Sequence, residues 1–165
     1  MADLEIERKF QVIQDWEIPR NSRRVRIRQA YLSTPEAALE VRVRSMDETC
    51  LMTVKSPAAA HGEGVNVRSE VEFPIPAAEF RRIWEMTTDR IEKDRWSVRL
   101  DDSSDALEAV VDVYAGAHAG LRVVEVEFND VEQARNFRPP SWFGPEVTGR
   151  KEWGNRHLSR SNARR

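Results

Sequence analysis

Along most of this chain apolar and charged side chains alternate with a period of two, and only an extended strand sends such residues to opposite faces. The segments 4–10, 24–28, 39–44, 51–55, 65–73, 110–114 and 122–128 each read as strands on this basis, and 93–100 as a further one. Turn material separates them. Ser56 and Pro57 open an Ala-rich loop that runs to Gly64, 101–105 is a polar hairpin, and Gly116 to Gly120 is a tight connection. A helix is predicted after Pro76, with Phe80, Ile83, Trp84 and Thr87 as its buried stripe, and a short one over 131–137. The basic tail from Glu152 can form a last helix. The expectation is a mainly antiparallel α+β fold in one domain, residues 1–165, with its core at about 3–160 and a basic tail at 161–165.

The choice of polar residues on these strands is unusual. Glu5, Glu7 and Lys9 share one face of the first strand while Leu4, Ile6 and Phe10 take the other, with Arg8 exposed at an edge or end. Glu40, Arg42 and Arg44 repeat the arrangement, as do Arg68, Glu70 and Glu72, then Lys93 with Arg95, then Glu125 with Glu127. Asp112 and Lys55 add single charges. On any one strand this is the ordinary wet face of an antiparallel sheet. Repeated on five segments and made almost wholly of Glu and Arg, it is better explained as the lining of a closed barrel. Carboxylates there can hold hard cations, and Arg and Lys can hold phosphate oxygens. A triphosphate, with several negative charges in a row, suits such a lining, and carboxylates opposite it suit Mg²⁺ or Mn²⁺. Gly62-Glu-Gly64 lacks the Lys-Ser/Thr that would make it a phosphate-cradling loop, so the grip must come from side chains.

Composition agrees. A third of the residues are charged, yet the net charge is only -2, which argues against a whole-surface nucleic-acid binder. The one cysteine, Cys50, has no partner for a disulfide, and no apolar run approaches the length of a membrane span. The chain reads as soluble and cytoplasmic.

Glu5-Ile-Glu-Arg-Lys9 resembles the ExExK element that opens CYTH domains, the family of class IV adenylyl cyclases, thiamine triphosphatases and tripolyphosphatases. Further elements follow in family order: Gln29-Ala-Tyr-Leu32, Val41-Arg-Val-Arg44, the strand ending in Lys55, Arg68-Ser-Glu-Val-Glu72, Lys93-Asp-Arg95, Asp112 to Gly116, Glu125-Val-Glu127 and Glu146-Val-Thr-Gly149. Ala30 departs from the usual Gly, and Arg150 and Trp153 depart from the usual closing segment. The resemblance implies an eight-stranded closed tunnel with helices packed outside. It implies a metal-dependent triphosphatase with Mg²⁺ or Mn²⁺, two ions, as cofactor and a small-molecule triphosphate as substrate. Glu5, Glu7, Glu125 and Glu127 would hold metal, with Asp112, Glu70 and Glu72 as helpers. Lys9, Arg42, Arg44, Lys55, Lys93 and Arg95, with Arg68, would grip the phosphates.

Tyr31 matches a residue that pairs with the ExExK Lys in short tripolyphosphatases, which makes Lys9 and Tyr31 the catalytic candidates and inorganic tripolyphosphate the favoured substrate. Tyr31 also shares parity with the apolar Val25 and Ile27, so either the strand bulges near Gln29 or Tyr31 belongs to the core. Class IV adenylyl cyclase, thiamine triphosphatase and a non-catalytic polyphosphate- or nucleotide-binding module remain the alternatives. The three histidines, Cys50 and the tryptophans read as loop or packing residues, and the basic tail as solvated. The oligomeric state is not legible.

Overall fold

The computed structural model describes residues 6–56, 59–61, 65–67, 70–101 and 107–161. Eleven strands occur in chain order: β1 (Ile6–Val12), β2 (Arg23–Tyr31), β3 (Glu40–Met46), β4 (Thr49–Lys55), β5 (Ala59–His61), β6 (Val65–Val67), β7 (Glu70–Pro74), β8 (Arg90–Arg99), β9 (Glu108–Tyr114), β10 (Arg122–Phe128) and β11 (Phe143–Glu146). The helices are α1 (Ala77–Met86), α2 (Val131–Asn136) and α3 (Asn155–Ser161). β5 and β6 form a small separate ladder, so the strand expected over 65–73 is two pieces and the expected loop before it contains a third. β11, whose Phe-Gly-Pro-Glu sequence does not alternate, is an addition. Among the described residues no helix is long and apolar enough to cross a membrane.

The remaining strands make one antiparallel sheet in the order β11-β1-β10-β9-β8-β2-β3-β4-β7. Its frame is two up-and-down units, β2-β3-β4 and β8-β9-β10, joined along β2 and β8. Gly116 and Gly120, both at positive φ, turn the chain between β9 and β10 as the sequence suggests.

The closed eight-stranded barrel is not what forms. The sheet has nine strands and is open: among the described residues no ladder joins β7 to β11. The edges explain this. β11 has four residues, shifts register against β1 between Phe10 and Val12, and carries Pro145, which has no N–H to offer a further strand. β7 ends at Pro74. The sheet nonetheless curls. Lys9, Arg42, Arg44 and Lys55, all on one face, keep only 11–18% of their side-chain surface. We call this the inner face.

The apolar residues of the outer face build two cores. Phe10, Val12, Val111, Val124, Val126 and Phe128 pack with Ala134 of α2 and with Phe143. Ala30, Val43 and Cys50 pack with Phe80 and Trp84 of α1, the stripe foreseen for that helix. α1 and α2 thus lie outside the sheet, as expected. Trp16 and Trp96 belong to this outer packing, Trp16 stacking on Trp142 with ring centroids 3.9 Å apart. A third, smaller core sits on the inner face, where Leu158 of α3 meets Ile91, Tyr114 and Val123. α3 therefore covers one end of the inner face.

Arg8 is not an exposed edge residue. It lies on the outer face, where Nη1 donates to the carbonyls of Ala134 and Phe137 at the end of α2, and Nε and Nη2 grip Glu146 at 2.9 and 2.7 Å. One side chain thus ties β1, α2 and β11 together. Arg8→Met should cost about 1–2 kcal/mol in urea denaturation, mostly through the lost helix-end bonds. Glu146→Gln should cost less, because that carboxylate is 41% exposed.

Candidate active site

Cross-strand register decides which side chains share the inner face. Glu7 stands opposite Glu127 and Lys9 opposite Glu125. Asp112 stands opposite Val123 and Arg95, and Lys93 opposite Tyr114 and Ile27. Gln29 pairs with Arg44, Tyr31 with Arg42, and Arg42 with Thr53, which faces Glu72. Lys55 lies between Glu40 and Glu70. Directly opposed residues point the same way, so these charges from seven strands line one surface.

Two networks neutralise that surface. On the β8–β1 side, Asp112 is fully buried and Lys93 is 2% exposed. The Lys93 ammonium lies 2.5 Å from Oδ2 of Asp112, and Arg95 grips the same carboxylate through Nε to Oδ1 and Nη2 to Oδ2, both at 2.8 Å. Arg95 reaches Glu125 at 3.5 Å, and Glu125 holds Lys9 at 2.7 Å. Burial pushes Lys93 down to about 8 against the pull of Asp112. Asp112 is drawn down to about 2, because Lys93 and Arg95 overcome the opposing effect of its burial. Glu125 is likewise lowered: burial works against it, but Lys9, Lys93 and Arg95 prevail.

On the β3–β7 side, Arg44 and the Thr53 hydroxyl both donate to Oε1 of Glu72, at 3.1 and 2.7 Å. Glu70 takes Lys55 at 2.5 Å and lies 3.6 Å from Arg42. Burial and the neighbouring Arg42 lower the pKa of Arg44. The Nε atoms of Arg42 and Arg44, like that of Arg28 elsewhere on the sheet, are buried with no hydrogen-bond acceptor among the described residues. A guanidinium donor left without an acceptor on a charged, concave face is suited to an anionic oxygen supplied from outside.

The expected site residues thus come together, apart from two. Glu5 and Arg68 lie outside the described residues. The carboxylates differ in exposure. Both oxygens of Asp112 are occupied by cations, and Glu70, Glu72 and Glu125 also bind cationic side chains. Glu7 and Glu127 face each other and are exposed. Their chemistry suits a hard divalent cation, which takes carboxylate oxygens. Among the described residues no three His, Cys, Asp or Glu side chains converge closely enough to hold an ion, and Glu5 is the neighbour that sequence parity adds to this pair.

Tyr31 faces inward without a bulge. The ladder runs in register from Arg23 to Ala30 against β8 and from Ile27 to Tyr31 against β3. Val25 and Ile27 share the inner face, which has an apolar floor of its own. Tyr31 is only 5% exposed, and its hydroxyl accepts from Gln29 Nε2 at 2.7 Å. Burial and the charge of Glu40 raise its pKa, so the phenol stays protonated.

One residue of this surface, Arg156, escapes sequence reasoning. Arg156, read as solvated tail, binds Glu40, Ser33 and Thr34 and lies 5.6 Å from the Tyr31 ring. Asn155 accepts from the Tyr114 hydroxyl at 2.6 Å. Asn155 and Leu158, which follow Glu146-Val-Thr-Gly149 as in the closing segment of CYTH domains, were the available signal that this segment docks.

Comparison with known proteins supports the same assignment. The CYTH domain model matches residues 3–137. An inorganic triphosphatase of Nitrosomonas europaea is 40% identical over 160 residues, covering 95% of this chain and 97% of that one. An inorganic triphosphatase of Acetivibrio thermocellus is 31% identical over 156 residues, 93% of this chain and 92% of its own length. The crystal structure of an inorganic triphosphatase superposes with a TM-score of 0.73 at 36% identity, covering 96% of this chain and 95% of that one. With the charged strands found in family order and the family model matched over most of its length, the chain belongs to the CYTH domain family.

Proposed function

We propose that this protein is a metal-dependent triphosphatase that splits inorganic tripolyphosphate into pyrophosphate and orthophosphate on its inner face. The observation that carries the reading is the convergence of Lys9, Arg42, Arg44, Lys55, Lys93 and Arg95 from four strands on one surface, with buried donors of Arg42 and Arg44 that find no acceptor among the described residues. Two relatives of nearly full-length overlap named inorganic triphosphatase support it.

In this reading the internal ion pairs stand in for substrate. A polyphosphate chain offers these cations better acceptors than Glu70 and Glu72 do, because it is more highly charged and carries more oxygens. Arg42, Arg44 and Lys55, joined by Arg68, then hold one part of the chain while Lys93, Arg95 and Lys9 hold the other. Asp112 keeps Lys93 and Arg95 aimed before substrate arrives, so little reorganisation remains to be done. Glu7 and Glu127, with Glu5 and Glu125, would hold Mg²⁺ or Mn²⁺, two ions in the fullest arrangement. Such an ion neutralises phosphate oxygens and makes water a stronger nucleophile at neutral pH. Lys9, next to Glu125, positions the terminal phosphate. Tyr31, kept protonated, acts as a hydrogen-bond donor and not as a base. Tyr31→Phe should lower kcat by about 100-fold, the low end of what a lost transition-state hydrogen-bond donor costs, with KM little changed.

A phosphate-release panel of tripolyphosphate, ATP and thiamine triphosphate, each with Mg²⁺ and Mn²⁺ and with cyclic AMP followed in parallel, tests the assignment. Fastest release from tripolyphosphate is expected. Cyclic AMP formation without phosphate release from tripolyphosphate would replace triphosphatase with cyclase, and binding without any turnover would reduce the protein to a binding module.

A further inference from the structure

The end of the inner face covered by α3 holds an unusual arrangement of charge. Glu40 stands on that face at the start of β3, opposite Lys55 and two residues before Arg42. Only 17% of its side chain is exposed. An anion so placed would repel a polyphosphate and compete for the cations meant to hold it. It does neither here, because a residue from a distant part of the chain reaches it. Arg156 Nη1 of α3 donates to Glu40 Oε2 at 3.2 Å. The other arm, Nη2, donates to the Ser33 carbonyl at 2.7 Å, to its hydroxyl at 3.2 Å and to the Thr34 carbonyl. These bonds hold the guanidinium in one orientation, with its Cζ 5.6 Å from the centroid of the Tyr31 ring. α3 is itself fixed by Asn155 to Tyr114, and by the Leu158 carbonyl, which accepts from His118 at 2.8 Å.

We propose that Arg156 is a positioning residue for substrate: by neutralising Glu40 it leaves Lys55 and Arg42 free to engage phosphate at the α3 end. This rests on the triphosphatase reading above. Lys55 and Arg42 share Glu70, an exposed carboxylate at the sheet edge that a polyanion can displace. Glu40 is different. It is more buried and sits directly across from Lys55, so once released from Arg156 it becomes a second and more persistent competitor. Glu40 also bears on Tyr31, whose pKa is raised first by burial and next by this carboxylate. Arg156 therefore sets the charge around both a binding group and the inward-facing phenol.

The role separates from a purely structural one by second-site rescue. Arg156→Met should raise the KM for tripolyphosphate roughly tenfold, the scale of one half-buried unit charge set against the substrate, with kcat little altered. Arg156→Met combined with Glu40→Gln should return KM close to the wild-type value, since the anion that Arg156 neutralised is gone. Glu40→Gln alone should leave KM unchanged or lower. Arg156→Lys should rescue partially, keeping the charge but not the fork that reads Ser33 and Thr34. A double variant as impaired as Arg156→Met, in a protein whose melting temperature and circular dichroism match wild type, would overturn the inference, as would a single variant with unchanged KM. If Arg156→Met fails to fold, Arg156→Lys set against Arg156→Lys with Glu40→Gln carries the same comparison. Wild-type protein that turns over no tripolyphosphate would instead overturn the proposed function, and this inference with it.

Discussion

Asp112→Ala should remove about 3–5 kcal/mol of stability, enough to unfold a marginally stable domain, although the side chain is small and touches no exposed surface. The cause is what it leaves behind. Lys93 is almost fully buried and Arg95 largely so, and both direct their charge at this one carboxylate. Without it the Lys93 ammonium keeps only the weaker pull of Glu125 and must stay largely desolvated without a direct partner or lose its proton. Asp112→Asn should cost less, because the amide oxygen still accepts one bond. Lys93→Met with Asp112→Leu should recover much of the loss, since a buried pair replaced by apolar residues of similar size is often near neutral. The pH dependence follows from the lowered carboxylate. Its contribution is fully present above its ordinary 3.8 and is lost only as pH falls toward about 2, so the alanine variant should show the same deficit at pH 7 and pH 5. Urea denaturation of the four proteins measures this. A deficit below about 1 kcal/mol for Asp112→Ala would mean that the pair is solvated and that Lys93 and Arg95 are not pre-aimed.

Glu127→Gln should do the opposite: stability stays within about 0.5 kcal/mol of wild type while turnover falls by at least about 100-fold. Glu127 is exposed and faces Glu7 across the β1–β10 ladder, so removing its charge relieves a like-charge contact and empties no packed space. Its proposed work is to hold a divalent ion, and an amide oxygen is a far weaker ligand for a hard cation than a carboxylate. Glu7→Gln should lower turnover likewise. The measured pair is melting temperature against phosphate release with Mg²⁺ titrated. Activity recovered at high Mg²⁺ would place the defect in metal affinity, and unchanged turnover at all Mg²⁺ concentrations would remove Glu127 from the metal site.

How much of this was legible in the sequence varies with the range of the interaction. Parity along a strand is local, so the grouping of Glu7 with Lys9, Arg42 with Arg44, Lys93 with Arg95 and Glu125 with Glu127 could be read directly, and the structure puts all of them on one face. Which charge meets which is set by register between strands far apart in sequence. Asp112 could be listed only as a helper to a metal, when its oxygens are held by Arg95 and Lys93 across the β8–β9 ladder. Closure of the sheet depends on its edges, and Pro145 in a segment with no alternation gave no strand to count. Tyr31 was left open for a different reason. The charged face was assumed to exclude apolar residues, which forced a choice between a bulge and a core position. Ile27, Ile91 and Val123 show that the inner face carries apolar side chains too, so a regular strand delivers Tyr31 inward. Arg156 was invisible because a basic tail looks the same whether solvated or docked, and only the carbonyls of Ser33 and Thr34 reveal the difference.

The central claim is that the inner face binds a triphosphate and splits it with the help of a divalent ion. Phosphorus NMR of tripolyphosphate mixed with the protein and Mg²⁺ tests it most directly. Pyrophosphate and orthophosphate should appear in equal amounts with wild type, and neither should form when the metal is chelated or when Glu127→Gln replaces wild type. Equal product formation in all three samples, or tripolyphosphate left intact by the wild-type protein with Mg²⁺ or Mn²⁺, would contradict the account.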